Sequence, residues 1–75
     1  MQRLAAVSVL FLALAVPVHA EDDIQVRIFT TYLEQATAGD TNSQFIVASR
    51  YESGKGTARD IDKAYEWYEK AAAKD

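Results

Sequence analysis

The 75-residue chain has no cysteine, and its one proline (Pro17) and one histidine (His19) both fall within the first twenty positions. Without cysteine there is no disulfide framework, no thiolate nucleophile and no thiolate metal site. Beyond Ala20 there is no histidine either, which removes the usual general base and the commonest transition-metal ligand. Ser43, Ser49 and Ser53 have no candidate base beside them, so none reads as an activated nucleophile. Asp60 and Asp62 are two apart, and residues at that spacing do not face each other on a helix. They read instead as a helix cap and as a carboxylate complementing the positive end of the helix. Glu21, Asp22 and Asp23 lack the spaced oxygen ligands of a calcium loop. No catalytic residue, cofactor site or metal site is therefore expected.

The first twenty residues have the pattern of a targeting segment. Arg3 and the terminal amine form a short positive region, and Leu4 to Val16 is apolar apart from Ser8. Pro17 follows, then Val18-His19-Ala20, with small residues at the first and last positions of a cleavage site. A membrane-spanning helix needs about 20 apolar residues, and this run is too short for that. The expectation is a signal peptide over 1–20, cleaved after Ala20, and an exported product that is periplasmic or extracellular. Residues 21–75 carry seven lysines and arginines against eleven acidic side chains. That balance argues against a nucleic acid or an anionic membrane surface as partner, and no stable membrane insertion is expected after cleavage.

No strand pattern appears, and the remaining sequence divides into three helical stretches, at about 24–38, 41–53 and 60–74. Ile24, Ile28, Phe29, Tyr32, Leu33 and Ala36 form an apolar stripe on the first, with Asp22 or Asp23 as candidate N-cap and Gly39 as the C-terminal stop. On the second, Val47, Ala48 and Tyr51 form the inner face with Gln44 one turn earlier, and Phe45 and Ile46 widen the apolar surface. Thr41 with Gln44 fits a capping box, and Asp40 is the competing cap. Gly54-Lys55-Gly56 interrupts the pattern, and Gly56 is expected at positive φ. This is not a phosphate loop, because Ser49 stands where the earlier glycine of that motif belongs and the preceding residues read as helix rather than strand. Asp60 caps the third helix, whose inner stripe is expected to be Ile61, Ala64, Trp67, Tyr68, Ala71 and Ala72. The fold class is all-α, three antiparallel helices with short connections.

The sequence also repeats itself. Shifted by 35 residues, Tyr32 to Asp40 falls on Trp67 to Asp75 with four identical pairs in nine, and such a lag is the period of helical-hairpin solenoids. Ser43-Gln44 through Tyr51, then Gly54-Lys55-Gly56, then Asp60, Ala64, Trp67, Tyr68, Ala71 and Ala72 fall in one register. In that register the chain resembles the Sel-one-like repeat (SLR) family, a branch of the tetratricopeptide-type α/α solenoids. Thr41 to Ala73 corresponds to one full repeat, and Tyr32 to Asp40 to the tail of a preceding one. Ser43, Val47, Ala48 and Thr57 stand where the family favours alanine, leucine, glycine and valine.

The resemblance implies a non-catalytic adaptor or scaffold that binds another protein. Repeats bury their faces against neighbours, and one and a half repeats leave the third helix without a successor. Its open side is expected to take another protein or a second copy of the chain. Tyr65, Trp67 and Tyr68 are the candidate partner-binding residues; Tyr65 is the best surface candidate because it lies off the inner stripe. The alternatives are an inhibitor or accessory subunit of a periplasmic enzyme, or a fragment of a longer repeat protein with no separate function.

Overall fold

The computed structural model describes residues 18–73, with side chains from residue 21 onward. The apolar run expected to be a targeting segment lies, before Val18, outside the described residues, as do Lys74 and Asp75. Three helices follow one another, α1 (Val18–Thr37), α2 (Thr41–Ser53) and α3 (Ile61–Ala73), and the described residues include no strand.

The first helix is longer than its stripe predicts. Nothing between Val18 and Ala38 breaks a helix, and carboxylates near a helix N-terminus are favoured by its dipole. Asp22 and Asp23 therefore lie inside α1 rather than capping it. Thr30, Thr31 and Thr37 are poor helix formers, yet each turns its hydroxyl back to the carbonyl four residues earlier, at 2.8–3.0 Å. The helix stops at Gly39, whose φ is +106°. Asp40 N–H donates to Gln35 O and Gly39 N–H to Ala36 O, the paired bonds of a Schellman ending.

Of the two caps proposed for the second helix, Asp40 is the one used. Its carboxylate accepts from Ser43 N–H at 2.8 Å. Gln44 takes no part in capping: it is buried, and its Nε2 donates to Ala36 O at 3.1 Å, tying α2 to the end of α1. Gly54, at φ +73°, ends α2, and both its N–H and that of Lys55 donate to Arg50 O. The chain then closes back, with Asp60 N–H on Tyr51 O at 2.8 Å and Arg59 Nε on Glu52 O at 3.0 Å. These bonds satisfy carbonyls that the end of α2 would otherwise leave without partners.

The helix order in space is α1, α2, α3, with α2 packed against both neighbours. Val47 and Ala48, wholly buried, occupy the middle of that stack. Phe29 and Ala36 reach the core from α1, and Ala64 and Ala71 from α3. Tyr32, Leu33, Tyr51 and Trp67 pack around them half-buried, and the Phe29 and Tyr51 rings meet edge to face at 5.2 Å. Three residues of the expected inner stripes are exposed, and Ile28 and Tyr68 lie half-buried outside this core. Ile24 is 54% exposed on α1, and Ile61 and Ala72 face solvent on α3. Their apolar character follows the helix period, but among the described helices α3 packs against α2 alone, so part of its apolar surface is left exposed.

Candidate functional site

The hairpin loop is fixed by the one helix that sequence period does not connect to it. Gly56 has φ +78°, as expected from its place in the turn. A Cβ on it would stand 2.3 Å from Gln25 O and 3.0 Å from Phe29 Cβ. The loop backbone therefore lies directly on α1, and glycine is required both for conformation and for space. Nearby, Arg50 Nη1 donates to Gln25 Oε1 at 2.9 Å, a second tie between α2 and α1. An open cleft of about 570 Å³ remains between this loop and the start of α1, lined by Asp22, Val26, Lys55 and Thr57 among others. Among the described residues its lining holds no histidine or cysteine, and no cluster of histidine, cysteine or carboxylate could hold a metal ion.

The third helix has two distinct sides. Ala64 and Ala71 lie against α2, and their small size lets the two backbones approach. Trp67 leans over them onto the core, and Lys70 Nζ covers its ring at 4.3 Å from the centroid. Lys63 Nζ is placed in the same way, 5.6 Å from the centre of the Tyr51 ring. Of the three candidate partner-binding aromatics, Trp67 is thus engaged within the fold. Tyr65 is 67% exposed and points outward. Tyr68 stands between the two: its ring is 6.2 Å from that of Phe45, itself 41% exposed, and its hydroxyl donates to Glu52 Oε1 at 2.9 Å. That hydrogen bond is the leading cause of a phenol pKa raised above its ordinary value, followed by desolvation and by the negative charge of Glu52. A hollow of about 140 Å³ opens here among Glu52, Ile61, Ala64, Tyr65 and Tyr68. A space of that size accepts a single ring or aliphatic side chain.

The motif residues are thereby placed. Gln44, Gly54, Gly56 and Asp60 fix the connections, with Asp60 Oδ1 accepting from Lys63 N–H at 3.0 Å as the cap of α3. Tyr51, Ala64, Trp67 and Ala71 pack on or beside the core, and Ala72 does not. Ser43 is a structural residue that its type alone did not reveal. Fully enclosed between α1 and α2, its hydroxyl donates to Asp40 Oδ2 at 2.6 Å and lies 2.9 Å from the Gln35 carboxamide. A residue that departs from the repeat pattern here joins the ends of two helices.

Comparison with known proteins agrees with this geometry. The model of the Sel1 repeat matches residues 41–75. The chain is also 46% identical over 44 residues to the chitin synthase regulator SKT5 of Saccharomyces cerevisiae. That match covers 59% of this chain and only 6% of the yeast protein. No solved structure gives a significant match. Residues 41–75, with α2, the glycine loop and α3 in the expected register, thus carry a Sel1 repeat, a unit that generally mediates contact between proteins.

Proposed function

We propose that this chain is an exported, non-catalytic adaptor that holds another protein against its helical repeat. The observation that carries the reading is the half-covered third helix. Ala64 and Ala71 are buried on α2, while Ile61, Tyr65 and Tyr68 stand around an open hollow on the same helix. Exposed apolar surface of this kind marks interaction sites. Export is supported by the apolar run before Pro17 and the Val18-His19-Ala20 sequence. The expected mature chain starts at Glu21, which would place three carboxylates in the first turn of the shortened helix, where its dipole favours them. Cross-linking in cells that express the tagged full chain, followed by mass spectrometry, tests both parts. The expected result is one partner enriched over background and an N-terminal peptide beginning at Glu21. A full-length species confined to membranes would replace the exported product with an anchored one.

A second reading, regulation of an enzyme as its accessory subunit, is favoured by one observation: the similar yeast protein is named as a regulator of chitin synthase. The two readings separate once the partner is in hand. An accessory subunit changes its partner's turnover, and a passive adaptor changes only where the partner is found.

A further inference from the structure

We infer that the open face of α3 receives an amphipathic helix with a basic flank, supplied by another protein. The inference rests on the adaptor reading and names its surface and the chemistry of its partner. Ile61, Tyr65, Tyr68 and Ala72 are spaced four, three and four residues apart, the repeat of a helix-packing seam. Ile61 is 37% and Tyr65 67% exposed, Ala72 is exposed and Tyr68 is half-buried, so the seam runs open along the whole helix. The hollow beside Tyr65 gives it a socket for one anchoring side chain.

Charge selects the occupant. Asp62, Glu66 and Glu69 are all exposed and follow the seam on one side, with Asp62 and Glu69 roughly a quarter-turn from it. Glu52 closes the hollow with a further carboxylate. The two lysines of α3 that could offset these charges are turned the other way, over the rings of Tyr51 and Trp67. The rim of the seam is therefore acidic, and lysines or arginines beside a partner's apolar stripe complement it. A second copy of the chain fits less well. Pairing two α3 helices antiparallel about a two-fold axis sets Asp62 and Glu69 of one copy against those of the other. The parallel arrangement brings the acidic rim of one copy against α2 of its neighbour.

The test uses the full chain and a dye-labelled three-heptad helical peptide with a leucine stripe flanked by lysines. A peptide with the same stripe flanked by glutamates serves as its counterpart. Fluorescence anisotropy should show the lysine peptide binding at least tenfold more tightly than the glutamate peptide. Tyr65→Asp should weaken the lysine peptide at least tenfold, although it adds negative charge, whereas Tyr65→Phe should leave it near the parent. The pair Asp62→Lys and Glu69→Lys should reverse the preference. Since all three positions are exposed, circular dichroism should show each variant folded like the parent. Equal affinity for both peptides, or undiminished binding by Tyr65→Asp, overturns the inference. So does a concentration-dependent dimer in sedimentation that Tyr65→Asp abolishes, because the occupant is then a second copy. A cellular partner retained by Tyr65→Asp would leave the adaptor reading standing and move its site off this face. Peptide binding as described with no cellular partner would do the reverse.

Discussion

At the scale of single residues, Gly56 and Gly54 look alike in the sequence and differ in what surrounds them. Both have positive φ, but a Cβ at Gly54 meets the Arg59 side chain and backbone at 3.2–3.3 Å, whereas at Gly56 it collides with a helix carbonyl at 2.3 Å. Gly56→Ala should therefore cost more than Gly54→Ala, on the order of 2–3 kcal/mol, because backbone strain and a rigid steric conflict add. Thermal melts followed by far-UV circular dichroism rank the two, and equal losses would mean that the loop does not rest on α1. The turn and its positive φ were legible in the sequence; the contact with Gln25 was not, since nothing in a local pattern links positions 25 and 56. Trp67 and Tyr65 form a second such pair. Trp67 packs on the core and Tyr65 does not. Trp67→Ala should lower stability by about 3 kcal/mol, the low end for tryptophan truncation because its ring is only half-buried, and Tyr65→Ala by less than about 0.5 kcal/mol. Helical spacing separated these two correctly. It failed for Ile61 and Ala72, because period says which residues share a face and not whether a neighbour covers it.

At the scale of elements, the helices and their order were readable from stripes and glycines, while the joints between helices depend on polar groups that the stripes leave out. Gln44 reaches the final turn of α1, Ser43 joins Asp40 and Gln35, and Arg50 joins Gln25. The start of α1 was misplaced for a related reason. Asp22 and Asp23 serve equally as caps or as first-half helix residues, and the uninterrupted chain before them decides for the second. The joint between α2 and α3 has a pH signature. The Tyr68 hydroxyl donates to Glu52, and its pKa is raised above the ordinary value of 10.0, so the neutral phenol is the form that the folded state favours. A group whose folded pKa is raised contributes stability that is fully present below the unfolded value and lost as pH climbs through the folded one. The melting temperature should thus fall more steeply above about pH 10 in the parent than in Tyr68→Phe, which lacks the proton. Identical alkaline profiles would show that the hydrogen bond contributes nothing.

At the scale of the whole molecule, among the described residues α2 packs against both other helices, and α1 and α3 each against α2 alone. A solenoid gains stability from each neighbouring interface, so a helix with a free side is where another helix adds most. The described core is small, with Phe29 and Val47 its only large apolar side chains below a tenth exposed, and no disulfide supplements it. A core of this size gives only marginal stability. Binding that is confined to the folded state must then raise the melting temperature by an amount fixed by mass action. At a hundredfold excess over its dissociation constant, a ligand stabilises by about 2.7 kcal/mol. In a domain this small each kcal/mol moves the melting temperature by roughly 4–8 °C, so the lysine-flanked peptide should raise it by roughly 10–20 °C. Tyr65→Asp should show little of that shift at the same peptide concentration, and the glutamate-flanked peptide should give little with the parent. Raising the salt should shrink the parent's shift, since exposed carboxylates are screened over about 8 Å at physiological ionic strength. A shift that ignores salt would assign the binding to the apolar seam alone and remove the acidic rim from the choice of partner.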